Sequence, residues 1–419
     1  MIETIVTVII FINLYIITFY ILALLKAQYS SPSIKKYPEV TILIPAYNEE
    51  QGIARTIESC LKLEYGAKIH IVIVNDASKD KTEQIVKPYL KHPQVKLLTL
   101  KKNQGKAQAM NIALKQITTP LFAVLDADST ISKKSLKNAV KMFSIKREEP
   151  IGAVMSKLKP ENENANVLER IQVIEYLVVG LMRAISASLR FLHIAPGVLS
   201  VYKTDIVKKI GCFDAKNLTE DFELGVRLKK NGYLIEYAHD SLVFTRTPNS
   251  LSLIIKQRIR WFRGFFQTHL KHRDIHFNKK HGLFGWFEFP ITVTGIFLLL
   301  CAISILGYNI VRGISEFVFK LINTPDLIVW FEFRTLSQIL LTLNVTLLVP
   351  IIILISIVLF IIYTTFTFYN SRFFATHTVK KIVAVVLYIL VYNYMYVYII
   401  PRSLYLELQK RKYDWGTKK

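Results

Sequence analysis

Acidic residues, cysteines and the spacings of the commoner binding motifs are what this chain has little of. Asp and Glu number 31 against 54 Lys and Arg, a net charge of +23. An excess of that size points to an anionic partner: nucleic acid, an anionic membrane face or a phosphorylated substrate. No zinc-finger spacing and no RRM signature occurs, so nucleic acid is the weakest of the three. Three cysteines, Cys60, Cys212 and Cys301, have no paired spacing. They exclude a disulfide framework and read as reduced or buried thiols. What the chain has in abundance is apolar surface. A hydrophobic content of 52% and a mean hydropathy of +0.32 exceed those of an ordinary soluble protein. Its 419 residues leave room for one large domain and a second body of structure.

The apolar surface is concentrated at the two ends. Residues 5–25 are almost wholly apolar and long enough to cross a bilayer. A cleavable leader would need a basic start, and the first four residues carry only Glu3. Lys26, Lys35 and Lys36 follow, which predicts a membrane anchor with its N-terminus outside. Beyond Trp286, residues 289–311, 336–363 and 382–400 are each long enough to span, and 317–333, apolar but broken by Lys320, Asn323, Pro325 and Asp326, reads as an interfacial stretch. Three crossings would leave the basic tail, with Lys410, Arg411, Lys412, Lys418 and Lys419, on the outer side, against the positive-inside tendency. Either one run does not cross, or 317–333 contributes a fourth crossing. The expected organisation is an anchor at 1–25, a basic linker at 26–39, a catalytic domain at 40–248, amphipathic interfacial helices at 249–285, membrane helices at 286–401 and a basic tail at 402–419.

Between the ends, β-rich runs at 40–45, 69–76, 95–100 and 121–128 alternate with helical stretches at 53–63, 81–90 and 106–116. Alternation of this kind predicts an α/β domain with a Rossmann-like, mostly parallel sheet, whose ligands bind beyond the carboxyl ends of the strands. Three of those ends turn polar or acidic: Pro45–Glu50 (PAYNEE), Asn75-Asp76-Ala77-Ser78, and Asp126-Ala127-Asp128. Residues two apart in an extended or turning backbone point the same way, so Asp126 and Asp128 suit either a hard divalent cation or a loop that caps the next helix, for which Ser132 is a further N-cap. Asn103-Gln104-Gly105-Lys106 opens a helix, where backbone N–H groups and an ammonium can meet a phosphate.

Further on, a long helix is expected over 166–192, followed by His193-Ile194-Ala195-Pro196-Gly197. Thr219-Glu220-Asp221 then precedes a helical run ending on Gly232, a suitable C′ residue. The acidic start is what any helix dipole favours, and equally a carboxylate able to accept a proton at a site. Residues 250–272 interleave apolar and basic side chains without one acidic residue, the pattern of a helix lying on a membrane surface. Gln257, Arg260 and Trp261 share one face of it, either as interfacial anchors or to bind diphosphate and stack on a sugar.

In series, these motifs (PAYNEE, NDAS, NQGKA, DAD, TED and QRIRW) resemble the membrane-bound processive family 2 glycosyltransferases, the hyaluronan, chitin, cellulose and poly-N-acetylglucosamine synthases. The likeness covers about residues 40–270, and TED followed by Q-x-x-R-W after one N-terminal span looks most like the poly-N-acetylglucosamine synthases. It implies a GT-A fold, a UDP-sugar donor and Mg²⁺ or Mn²⁺. By motif, Ala46, Tyr47 and Glu49 would contact the nucleotide, Asp76 the uracil, and Lys106 the nucleotide or its phosphates. Asp126 would face the nucleotide and sugar, and Asp128 the metal. Asp221, within Thr219-Glu220-Asp221, would be the general base. Gln257, Arg260 and Trp261 would close over the diphosphate and acceptor end. The acceptor loop departs from the pattern, with Pro196 before Gly197 where many relatives have serine or cysteine. The implied reaction is direct displacement with inversion, giving a β-linked polymer at a multi-pass cell membrane with the catalytic domain in the cytoplasm. Partners would be membrane lipids and a polysaccharide acceptor, with no nucleic acid. The alternative is a non-processive enzyme that adds one sugar to a polyprenyl phosphate or other lipid.

Overall fold

A computed structural model of the protein describes residues 15, 18, 32–161, 166–323 and 378–411. The chain divides into two compact units: Met1–Lys26 with Ile291–Val397, and Ala27–Pro290 with Tyr398–Lys419. The second holds an eight-stranded sheet in the order β3-β2-β1-β4-β7-β6-β8-β5. Its strands are β1 (Val40–Ala46), β2 (Ile69–Asn75), β3 (Val95–Thr99), β4 (Leu121–Val124), β5 (Thr130–Ile131), β6 (Ile151–Pro160), β7 (Ser200–Lys203) and β8 (Leu234–Thr245).

Strands β1 to β4 pair in parallel, as their continuous apolar sequences demand. Ile42 and Ile44 of β1 belong to one core, and Leu43 between them to the other, so both sheet faces are covered. The sheet then reverses. β7 runs antiparallel to β4 with Val124 opposite Ser200, so the segment entering β7 arrives at the carboxyl end of β4. Phe122 and Tyr202 face each other in that register and stack at 5.1 Å. The Tyr202 hydroxyl donates to the Ala195 carbonyl at 2.7 Å and Ser200 Oγ to that of Pro196 at 2.6 Å. The register therefore delivers the Pro196-Gly197 loop to the end of β4.

The helix expected over 166–192 runs Val167–Ser188, opened by an Asn166–Glu169 capping box. It is apolar and long enough to cross a bilayer, but half of it is buried and it packs on β6 and β8, which makes it a core helix of this unit. The interleaved stretch at 250–272 is one helix, Leu251–Lys271.

At the C-terminal end the helices have bounds other than those of the apolar runs read in the sequence. Residues 289–311 and the start of the 317–333 stretch form one helix, Phe289–Asn323. Lys320 and Asn323, taken from sequence as interruptions, lie inside it, because a polar side chain leaves the backbone ladder intact. The single span expected at 382–400 is two helices, Thr378–Leu390 and Met395–Leu408, joined by a 3₁₀ turn at Tyr392–Tyr394. Taken together over Val379–Leu408 this stretch has the length and composition to cross a membrane. The expected span at 336–363, and the anchor at 5–25 apart from the helical Tyr15 and Thr18, lie outside the described residues.

Candidate active site

The parallel register sets Ala46 beside Asn75, so the two polar loops that follow β1 and β2 lie side by side. They are stitched together. Asn48 N–H donates to Ser78 Oγ at 3.0 Å, Glu49 N–H to Thr82 Oγ1 at 2.8 Å, and Lys79 N–H to Asn48 Oδ1 at 2.8 Å. Asn48 has φ 55° and Ala77 φ 57°. Asparagine tolerates this left-handed region, whereas alanine there is strained and must be held by its surroundings. Tyr47 is exposed at the rim, and Ala46 is buried beneath it.

Asp76 anchors a third loop. Its two carboxylate oxygens accept the Gln104 and Gly105 N–H groups at 2.8 Å each, and its own N–H donates to the Ala46 carbonyl at 2.9 Å. Each oxygen retains a further lone pair for a ligand. Gly105, at φ 86° and ψ 154°, takes a conformation open essentially to glycine alone and so turns the chain into the Lys106–Leu114 helix.

Lys106, the first residue of that helix, is the hub. Its Nζ donates to Asp126 Oδ1 at 2.5 Å and lies 3.5 Å from Glu220 Oε1. Burial acts against the ammonium, but the carboxylates of Asp126, Glu220 and Asp221 outweigh it and hold its pKa above the ordinary range. Burial pushes the Asp126 and Glu220 carboxyls up, against the pull of Lys106. Gly197 closes over this pair: a Cβ there would lie 2.8 Å from Lys106 Nζ. Its N–H donates to Asp221 Oδ2 at 3.1 Å, while Asp221 Oδ1 accepts the Phe222 N–H at 2.8 Å. Asp221 therefore reaches the Lys106–Asp126 pair through one glycine. Asp128 sits against the start of the Ile53–Leu61 helix, where Gly52 permits the contact, since a Cβ there would be 2.9 Å from Asp128 Cα. Thr56 Oγ1 ties the loop down by donating to the Ala127 carbonyl at 2.8 Å.

The Thr219–Asp221 turn is fitted onto the Leu251–Lys271 helix. A Cβ at Gly264 would lie 2.1 Å from Thr219 Oγ1, and one at Gly225 would lie 2.4 Å from the His193 carbonyl oxygen. Two glycines thus bring the turn, the Pro196-Gly197 loop and the basic helix together. Arg260 donates to the Leu218 carbonyl at 3.2 Å, and the Leu218 N–H donates to Gln267 Oε1 at 2.9 Å. Farther along, Glu223 is buried and accepts from Arg227 at 2.8 Å, Lys271 at 2.7 Å and His272 at 2.9 Å. Burial works against its charge, but those donors outweigh it and hold its pKa down at about 2.

The guanidinium that stacks on Trp261 belongs to Arg258, 4.0 Å from the ring centre, and sequence reasoning passed Arg258 over. Arg258 is 1% exposed; it donates to Glu175 Oε2 at 2.5 Å and to Gln257 Oε1 at 2.6 Å. The i, i+3 spacing from Arg258 to Trp261 was legible, but its partner Glu175 comes from a helix 83 residues away. Of the sequence-derived candidates, Lys106, Asp126, Glu220, Asp221 and Gly197 come together at one point. Asp76 joins them through its loop and Arg260 through the Leu218 carbonyl, whereas Gln257 and Trp261 meet each other on Arg258, which is bound to Glu175. Gly225, Gly264 and Gly52 were missed.

Residues 38–264 match the family described as Glycosyltransferase like family 2. A poly-beta-1,6-N-acetyl-D-glucosamine synthase of Staphylococcus epidermidis is 29% identical over 64% of this chain and 65% of the relative. One from Staphylococcus aureus is 29% identical over 55% of this chain and 56% of the relative. The matched region thus spans less than two thirds of either. Among solved structures, a mannosyltransferase of Pyrobaculum calidifontis, in complex with GDP-Man and Mn²⁺, superposes with a TM-score of 0.57 at 21% identity. That superposition covers 76% of this chain and 93% of the other, and identifies the fold as GT-A-like with a mostly parallel, mixed sheet. With more than half of its length matched, the chain belongs to the family 2 glycosyltransferases.

Proposed function

We propose that the protein is an inverting hexosyltransferase that moves a sugar, N-acetylglucosamine in the first place, from a UDP-sugar to the hydroxyl of a growing β-linked polysaccharide at the membrane. One observation carries this reading: Asp221 bonds Gly197 at 3.1 Å, and Gly197 lies against the Lys106–Asp126 pair. A carboxylate able to take a proton thus stands one residue from a cation able to neutralise a departing diphosphate. The named relatives support the choice of sugar and of a polymeric product.

The residues do separate work in this mechanism. The loops after β1 and β2 and the Asp76 carboxylate would receive the nucleotide. Lys106, at a helix N-terminus, would hold the diphosphate and stabilise its developing charge. Asp221 would remove the proton of the acceptor hydroxyl as it attacks the anomeric carbon from the face opposite the diphosphate, and no side chain is needed as a covalent nucleophile. Trp261, rigid against Arg258, would offer the acceptor sugar a flat apolar surface.

The carboxylates also fit a hard divalent ion. Among the described residues no group of three or more His, Cys, Asp or Glu forms a closed cage. Mg²⁺ is held by one or two carboxylates with the rest of its shell from substrate phosphate and water. Asp126 is engaged by Lys106, so Asp128 would be the principal ligand. Mg²⁺ or Mn²⁺ bound there would add positive charge beside the leaving diphosphate.

The test is to incubate the purified full-length protein with radiolabelled UDP-GlcNAc and Mg²⁺ and to size the product. A polymer supports the proposal, and a single lipid-linked sugar replaces it with the non-processive alternative. Asp221→Asn should cut transfer by about a thousandfold while leaving UDP binding in place. Near-normal turnover in that variant would remove Asp221 as the base.

A further inference from the structure

The last described helix reaches the Thr219–Asp221 turn through one side chain. Gln267 of the Leu251–Lys271 helix uses both ends of its amide. Its Oε1 accepts the Leu218 N–H at 2.9 Å, and its Nε2 donates to both carboxylate oxygens of Glu407 at 3.1 Å. Glu407 lies on the Met395–Leu408 helix. Its carboxylate is fixed in turn by Arg263, whose Nε donates to it at 3.0 Å. Arg263 is 4% exposed, and its Nη2 donates to the Arg411 carbonyl at 2.5 Å. Arg263 and Gln267 are four residues apart, hence on one helical face. The amide has one workable orientation. Turned over, it would set N–H against the Leu218 N–H and oxygen against the Glu407 carboxylate.

We infer that Gln267 and Glu407 are positioning residues for the transfer step. The end of the Met395–Leu408 helix sets Leu218, and Leu218 sets the turn that carries Asp221 three residues on. The inference rests on the proposed role of Asp221 as base. Neither side chain enters the Lys106–Asp126 cluster, so donor binding is independent of them.

An exchange of the two side chains tests this. Gln267→Glu keeps the acceptor for Leu218 but sets a second carboxylate against Glu407. In full-length protein in detergent, assayed for UDP release from UDP-GlcNAc, it should lower kcat about tenfold with KM for UDP-GlcNAc unchanged. Adding Glu407→Gln restores a donor facing an acceptor and leaves the new carboxylate four residues from Arg263, so kcat should return to within about threefold of wild type. Wild-type kcat in Gln267→Glu overturns the inference. So does a double variant with wild-type thermal unfolding whose kcat stays low. A merely structural pair would move KM and kcat together, or neither. Should Gln267→Glu fail to fold, Glu407→Gln alone decides: a fall in kcat of about threefold at constant KM supports the role, and no fall overturns it. Asp221→Asn in the same assay keeps the two readings apart, because turnover retained there removes the base and not the link between Gln267 and kcat.

Discussion

The strand-end loops and the Thr219–Asp221 turn carry the two halves of one site, and they are held by different forces. The loops after β1 and β2, with the Gln104-Gly105 segment, are tied by hydrogen bonds from backbone N–H groups to side-chain oxygens of Asn48, Ser78, Thr82 and Asp76. The turn is held by glycines that let backbones touch, at Gly225 and Gly264, and by the buried charge of Glu223, whose N–H also donates to the Thr219 carbonyl. The helix beneath it is tied to the rest of the core by the buried Arg258–Glu175 pair. Polar loops can be re-formed after a ligand enters, because each bond exchanges with water at a net cost of about 1 kcal/mol. A packed turn with buried ions has one arrangement. The difference suits the proposed function, in which the strand-end loops would open to the nucleotide at every turnover while Asp221 would stay fixed.

The variant expected to break this contrast most severely is Arg258→Met. It would take from the Glu175 carboxylate, on a side chain 9% exposed, the guanidinium that donates to it at 2.5 Å. Removing one partner of a buried pair costs roughly 3–5 kcal/mol, whereas replacing both with apolar groups is often neutral. Thermal unfolding should therefore fall sharply for Arg258→Met and recover for Glu175→Leu/Arg258→Met. Transfer should stay low in both, because Trp261 has lost its support. Unchanged unfolding of the single variant would mean that the pair adds nothing to the packing of the two helices that carry it.

Glycine substitutions sharpen the contrast. At Gly264 and Gly225 an added Cβ meets atoms at 2.1 and 2.4 Å, so alanine forces the turn and its neighbours apart, at roughly 1–3 kcal/mol for overpacking. At Gly105 nothing lies within 4 Å, and alanine suffers only from the backbone angle, φ 86°. Gly264→Ala should depress kcat with donor KM retained. Gly105→Ala should raise donor KM, because Asp76 and Lys106 flank it. The opposite pattern in the two variants would refute the division of labour.

How much of this was legible in the sequence follows the same division. The alternation of strands and helices, the polar strand ends and Lys106 at a helix start were readable, because each is a local pattern with a local cause. Gly225 and Gly264 were passed over, since their purpose is contact with His193 and Thr219, 32 and 45 residues away. Gln257, Arg260 and Trp261 were singled out by their spacing on one helical face, whereas the burial of Arg258 beside Glu175 is a property of the folded chain. Lys320 and Asn323 were read as breaks in an apolar run. Asn323 instead donates to the Phe319 carbonyl one turn back, within the helix.

Mild acid gives a smaller and finer separation of the two halves. His193 and His269 lie among Phe222, Phe265, Phe284 and Phe289, against the helix that begins at Glu220. Burial brings the pKa of His193 down to about 4, with Lys229 adding to the effect, and that of His269 down to about 2, with His193, His276 and His272 adding to it. Both are neutral in the fold and titrate near about 6.5 when unfolded, so between those values the unfolded chain binds more protons. Stability must then fall as pH drops below about 6.5, by about 1.4 kcal/mol per unit for each histidine. Glu223 does not confound this window. Its depressed pKa of about 2 gives stability that is present above the ordinary carboxylate range and lost only as pH falls toward 2. Between pH 7 and 5.5, hydrogen exchange should therefore loosen the Glu220–Lys230 helix and the end of the Leu251–Lys271 helix before strands β1 to β3. If the strands loosened first, the histidine cluster would not be what holds the turn. If the turn loosens alone, Asp221 can be released in a molecule whose strand-end loops still stand.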